Sequence, residues 1–307
     1  MNIDTPGRRL LFSTVRIDCL LAGDLQSTGT GFILFADVEG GACPVIVTNK
    51  HVVANAVRLS AHFITRKPNT NEPNLGQAAE VTFNPSACFG HPDPRVDVAV
   101  IPLAATLEEF GEHLFFAPLP LGLLSTEVTD FYVDAIEEVT FVGYPNGHRD
   151  PKHFTPIVRR GITATPIDLD MGGAPAFLID GSVFGGSSGS PVFLFNEGTY
   201  RAGPNEMKIG TRVILVGIIA QTMVRNAQLP VEVANTHHVK IAQELNLGVA
   251  FNARAIKETF QAFLAASGLT LRSVGGDKHE TLIGRPEASS PTPGTPTVDR
   301  DLAGRDD

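Results

Sequence analysis

Apolar residues in this chain come in short runs rather than long stripes. Runs at 12–17, 31–35, 45–48, 97–103, 139–142, 191–195 and 213–220 are rich in Val, Ile, Phe and Thr, and each is bounded by Gly, Pro, Asn or Asp. Such runs predict β-strands, and their repetition with turn residues between them predicts a sandwich or barrels. A helical period stands out at the far end, where Ile256, Phe260, Phe263 and Leu264 share one face, Asn252 occupies a cap position and Gly268 stands where such helices end. A helix over 252–268, packed against a barrel, is therefore expected. A shorter one is expected from Thr106, because Thr106 and Glu109 have capping-box spacing. The uncharged segment 115–124, with two prolines, divides the strand-rich chain and sets the expected boundary between a first unit, 1–118, and a second, 119–251. From 275 onward the large apolar residues are Leu282, Ile283, Val298 and Leu302 among Pro, Ser and Thr, too few to offset the entropy of ordering. Residues 275–307 are expected to form a disordered tail.

Composition narrows the classes. A chain of 307 residues can bury a core without disulfides or metal. Thirty glycines and 22 prolines fit an all-β chain full of turns. With 24 Lys and Arg against 33 Asp and Glu, the net charge is −9, so no basic face is available for phosphates and nucleic acid is not an expected partner. Cys19, Cys43 and Cys88 are odd in number and lie outside zinc or C-x-x-C spacing, and they read as buried thiols of a reducing compartment. Arg16 and Asp18 interrupt the N-terminal apolar run below signal-peptide length, and no stretch approaches the ~20 apolar residues of a membrane span. The expectation is a soluble cytoplasmic protein with no membrane partner.

The chemistry concentrates in Gly185-Gly186-Ser187-Ser188-Gly189-Ser190-Pro191, which runs directly into the apolar VFLF. Two serines compete as nucleophile. With Ser187 the string Gly185-x-Ser187-x-Gly189 has the form of the strand-to-helix elbow of α/β-hydrolases, which needs a helix next and a downstream base, leaving His237, His238 and His279. Here Pro191 and a β-type run follow instead. With Ser188 the base and its orienting acid must lie elsewhere. His51, in TNKHVV after the run VIVT, and Asp97, at the head of DVAVIPL, both stand where strands meet loops. Asp93, between two prolines, is the rival acid. His148, His153, His237 and His238 have no acidic partner at metal-ligand spacing, and His148-Arg149-Asp150 is a kinase-like triplet without a nucleotide loop.

The order His51, Asp97, Ser188 is that of chymotrypsin-like enzymes. The pieces STGTGFIL, VIVTNKHVV, VDVAVIPL, VTFVGYPNG, GGSSGSPVF, VILVGIIA and LGVAFNARAIKE occur in family order over about residues 27–258. The chain thus resembles the trypsin/chymotrypsin superfamily of serine proteases, nearest to bacterial stand-alone and high-temperature-requirement-type members. The resemblance implies two six-stranded antiparallel β-barrels, with His51 and Asp97 on the first and Ser188 on the second. It implies peptide-bond hydrolysis through an acyl-enzyme without a cofactor: Ser188 attacks, His51 takes its proton, Asp97 orients His51, and the amides of Gly186 and Ser188 form the oxyanion hole. The expected partner is a protein or peptide substrate, held in the cleft between the barrels.

Departures from the family refine this. Secreted trypsins place an Asp before the nucleophile to receive a new N-terminus, and here that residue is Ser187. The cysteine expected after the histidine is Val52, so the associated disulfide is missing. Control is expected from a partner protein, loop ordering or the tail. By resemblance Ser182 forms the base of the primary pocket, Ala220, Gln221 and Thr222 form the edge strand that pairs with substrate, and Thr222 narrows the pocket, implying cleavage after a small or medium uncharged residue. The alternative is a catalytically silent module that keeps the peptide groove.

Overall fold

The structure, a computed structural model, describes residues 3–124, 132–231 and 234–272. It is built from strands in two sheets. The first holds β1 (Thr14–Leu21), β2 (Gln26–Val38), β3 (Gly41–Thr48), β4 (Ala56–Arg66), β5 (Pro73–Phe83), β6 (Phe89–Gly90), β7 (Ala99–Pro102), β8 (Leu114–Phe115) and β9 (Leu119–Pro120). Their order is β5-β4-β1-β2-β3-β7-β6, with β8 on β4 and β9 on β2. The second holds β10 (Glu138–Gly143), β11 (Ile157–Thr163), β12 (Ala176–Asp180), β13 (Pro191–Gly203), β14 (Glu206–Val231) and β15 (Ala234–Asn252), closed in the order β10-β11-β12-β15-β14-β13. Pairing of Thr140 with Phe193 completes that ring. The all-β, chymotrypsin-like plan is present. Its first sheet has six strands of four residues or more and three of only two.

Continuous apolar runs become strands buried on both faces, because successive side chains leave a strand on opposite sides. In β3, Val45 and Val47 enter one cluster with Phe32 and Leu34 of β2, while Ile46 enters a second with Ile33. In β14, Leu215 and Ile218 join the first cluster, while Ile214, Val216 and Ile219 line the interior of the second barrel. The first cluster therefore belongs to both sheets at once, and it is the seam between them.

The seam is completed by α4 (Ala253–Ala266). Asn252 caps it by accepting a hydrogen bond from the Ala255 amide at 3.3 Å, Gly268 follows at φ +68°, and Ile256, Phe260, Phe263 and Leu264 are all buried. Phe263 meets Phe89 of the first sheet edge-on at 5.9 Å between ring centroids. The shorter helices are α1 (Pro6–Leu10), α2 (Lys50–Val53) and α3 (Ala104–Phe110). Helix α3 corrects the expectation of a start at Thr106. It begins at Ala104 behind an N-cap residue, Leu103, that makes no side-chain cap, so Thr106 is an interior residue. Segment 115–124 is tied to the first sheet by β8 and β9 and buries Phe115, Ala117, Leu119, Leu123 and Leu124. The tail 275–307 and His279 lie outside the described residues, as do the side chains of His237 and His238.

Candidate active site

Strand β3 delivers the imidazole. It ends at Thr48, and α2 starts at once behind Asn49, setting His51 at the mouth of the first sheet with its side chain half exposed. Asp97, just before β7, holds His51 twice: its Oδ2 lies 2.5 Å from His51 Nδ1, and its Oδ1 accepts the His51 amide at 3.0 Å. Buried Asn49 donates from Nδ2 to the Asp97 carbonyl at 2.6 Å, so the acid is anchored by its backbone as well. The rival Asp93 is engaged elsewhere: Arg95, with three side-chain bonds and one from its amide, draws the Asp93 carboxyl down to about 2. The Asp93 carbonyl accepts from Lys50 Nζ at 2.8 Å.

The serine loop enters from the second sheet. Gly186 sits at φ +78° and Gly189 at φ +90°, conformations that favour glycine, and a Cβ at Gly186 would lie 2.6 Å from the Tyr144 carbonyl oxygen. Ser187 is buried, and its hydroxyl faces inward to accept from the Phe184 amide at 3.4 Å. Ser188 is half-buried, and its hydroxyl donates to the Ala220 carbonyl at 3.0 Å; no hydrogen bond joins it to His51 among the described residues. Pro191 then opens β13, a strand, in a closed antiparallel barrel. The elbow arrangement, which requires a helix at that point, is therefore excluded. The amides of Gly186 and Ser188 have no acceptor among the described residues.

Ala220 owes its role to a bulge. The β14–β15 ladder pairs Ile219 with Ala250 and Gln221 with Val249, skipping Ala220 and turning its carbonyl toward the serine. Strand β13 pairs with β14 only up to Ile218, so from Ala220 onward one edge of β14 has no neighbouring strand among the described residues. Gln221 is exposed there, and Thr222 Oγ1 donates to the Val183 carbonyl at 3.0 Å, bringing it beside half-buried Ser182. Burial pushes the Cys19 and Cys88 thiols up to about 11, which keeps them protonated and removes them as competing nucleophiles.

Sequence reasoning did not single out Thr30, Asn49, Tyr144 or Asn146, yet these carry the site. The Asn146 amide donates to the Gly185 carbonyl at 2.5 Å, and Thr30 makes three hydrogen bonds to the serine loop and the end of β10. All four lie inside or beside runs already recognised as strands, which was the available signal.

The trypsin-like peptidase domain family matches residues 29–200, more than half of the chain and a span holding His51, Asp97 and Ser188. The chain belongs to that family. Among solved structures it is similar to the HtrA-type protease AlgW with tripeptide, at 15% identity and a TM-score of 0.47, over 87% of this chain and 65% of that one. It is also similar to the protease Anisep from Arthrobacter nicotinovorans, at 12% identity and a TM-score of 0.47, over 83% of this chain and 96% of that one. A collagenase structure, HL collagenase, matches at 14% identity and a TM-score of 0.45, over 85% and 95% of the two chains. The search of curated proteins gave no match. Among the described residues no helix is long and apolar enough to cross a membrane.

Proposed function

We propose that the protein is a serine endopeptidase that hydrolyses peptide bonds through an acyl-enzyme on Ser188. The observation that carries this reading is the double hold of Asp97 on His51. A carboxylate on the Nδ1 side fixes that nitrogen as the proton donor, which leaves Nε2 as the basic, outward-facing nitrogen. Rotation of the Ser188 side chain moves its hydroxyl from the Ala220 carbonyl toward Nε2, an adjustment that substrate completes, since such bonds are commonly loose in the free enzyme.

In the acylation step His51 removes the Ser188 proton as Oγ bonds to the substrate carbonyl carbon. The carbonyl π electrons move onto oxygen, which is received by the amides of Gly186 and Ser188. Collapse of this intermediate breaks the C–N bond, and the His51 proton goes to the departing amine. Water then repeats the sequence with His51 again as base, releasing the acid and restoring Ser188. Substrate lies extended along the free edge of Ala220, Gln221 and Thr222 by strand addition, with its acyl-side residue over Ser182. We place the protein in the cytoplasm, a reading supported by three free thiols, two of them buried.

A fluorophosphonate probe tests the assignment. Wild type and Ser187→Ala are expected to be labelled and Ser188→Ala to remain unlabelled with its fold intact by circular dichroism. Persistent labelling of Ser188→Ala, or an unlabelled wild type, would overturn it; the latter outcome is the one the silent peptide-binding module predicts.

A further inference from the structure

Ser187, the residue before the nucleophile, is uncharged, so no ion pair at that position holds the serine loop in shape. What holds it is a set of pinned carbonyls. A peptide unit is planar, with its C=O and N–H pointing in opposite directions, so pinning a carbonyl also aims the amide of the same unit. The Gly185 carbonyl accepts from the Asn146 amide at 2.5 Å, and the Ser187 carbonyl accepts from the Ser190 amide at 3.0 Å. These two units carry the amides of Gly186 and Ser188, which are thereby turned away from the protein's own acceptors. The intervening unit and the one after the nucleophile are each held at both ends: the Ser187 amide donates to the Phe184 carbonyl at 3.0 Å and the Gly189 amide to the Ile219 carbonyl at 2.8 Å, while from the other sheet Thr30 Oγ1 donates to the Gly186 carbonyl at 2.9 Å and the Thr30 amide to the Ser188 carbonyl at 2.8 Å.

Thr30 is itself fully satisfied and fully buried. Its hydroxyl accepts from the Tyr144 amide at 3.0 Å while donating to Gly186, and its carbonyl accepts from Thr48 Oγ1 at 2.8 Å. The hydroxyl thus bridges the end of β10 and the loop of Ser188, two segments of the second sheet, from a strand of the first. Glycine is what admits it on both sides. A Cβ at Gly143 would lie 2.8 Å from Thr30 Oγ1, and one at Gly189 would collide with the Thr30 carbonyl. Gly186, free to rotate in a region closed to other residues, is the flexible joint that the hydroxyl restrains.

We propose that Thr30 is a positioning residue: its hydroxyl, acting from the first sheet, fixes the peptide unit between Gly186 and Ser187 so that the Gly186 and Ser188 amides converge on one point. The inference rests on the serine-protease reading and adds to it the device that shapes the oxyanion hole. Removing the hydroxyl leaves the buried Tyr144 amide and the half-buried Gly186 carbonyl unpaired, and the peptide unit after Gly186 keeps only its bond from the Ser187 amide to the Phe184 carbonyl.

Thr30→Val, Thr30→Ala and Thr30→Ser separate this role from simple packing. With a small peptide ester, Thr30→Val is expected to lower kcat about 10²-fold, comparable to losing one oxyanion donor, with KM nearly unchanged. Affinity for a peptide boronate, which forms a tetrahedral adduct on the serine, should fall by a similar factor, and Thr30→Ser should restore both to within a few fold. If Thr30→Val does not fold, Thr30→Ala against Thr30→Ser gives the same comparison. Folded Thr30→Val or Thr30→Ala with kcat within twofold of wild type would overturn the proposal, as would a loss in kcat that Thr30→Ser does not restore. A wild type inert to fluorophosphonate overturns the serine-protease reading itself and this inference with it, a result distinct from an active wild type indifferent to Thr30.

Discussion

Ser182 and Thr222 carry hydroxyls, where a side chain of Arg, Lys or Glu entering the pocket would need a countercharge. Ser182 is half-buried, Val183 beside it is buried, and Thr222 is tied to the Val183 carbonyl, so in the proposed reading the primary pocket has a fixed branched side chain on one side. A charge desolvated there without a partner costs several kcal/mol. Profiling against a peptide library should therefore show Ala, Val, Ser or Thr enriched at the residue before the cut; a profile dominated by Arg, Lys or Glu would contradict this account of the pocket. At this scale the sequence is uneven in what it discloses. His51, Asp97 and Ser188 are marked by where they stand, each at a junction between an apolar run and a turn. Thr30 is marked by nothing local. Its partner Gly186 lies 156 positions away, and a buried threonine inside a strand looks like any β-branched strand residue until the two sheets are brought together.

Among the elements, the legible ones are those buried on both faces. Strands β3, β7 and β14 read as unbroken apolar runs because each side of the strand meets a different cluster. Strands such as β5 and β11 were not singled out, and the reason is physical: β11 exposes Val158 and Ile162 while turning Arg159 toward the Phe141 and Phe184 rings, so its pattern inverts the usual rule. The start of α3 was misplaced because the capping-box spacing at Thr106 fell inside a helix whose first turn is already closed by the Leu107 amide donating to the Leu103 carbonyl at 3.0 Å. Strand β1 hides a polar link of the same kind. Burial pushes the Asp18 carboxyl up, but hydrogen bonds from His62, Arg16 and Thr28 together with the charge of Arg16 outweigh this and hold it below its ordinary value. A depressed carboxyl stabilises the fold at pH above the unfolded range near ~3.9, and the contribution disappears as pH falls through the lower folded value. Asp18→Asn should therefore be less stable than wild type in urea at pH 5, with the gap narrowing by pH 3. A gap of constant size over that interval would show that Asp18 does not supply the link between β1 and β4.

The whole molecule works because its two sheets are not separate bodies. Phe32, Leu34, Val45 and Val100 of the first share one cluster with Phe193, Leu215 and Phe251 of the second, and α4 seals it with Phe260 and Phe263. Side chains on opposite sheets can then be held at fixed positions without any covalent tie, since a close-packed interior transmits position rigidly. The all-β, chymotrypsin-like plan was legible because the motif pieces occur in family order; the bulge at Ala220 and the bridge at Thr30 were not, because each depends on a register between distant segments. In the proposed function this seam brings the His51 ring, the Ser188 hydroxyl and two free amides to one reacting carbonyl. A crystal structure of the fluorophosphonate-treated protein measures that directly. Phosphorus is expected on Ser188 Oγ, with the phosphoryl oxygen about 2.7–3.1 Å from the amides of Gly186 and Ser188 and His51 Nε2 turned to the adduct. An adduct on Ser187 or elsewhere, or a phosphoryl oxygen directed away from both amides, would contradict it.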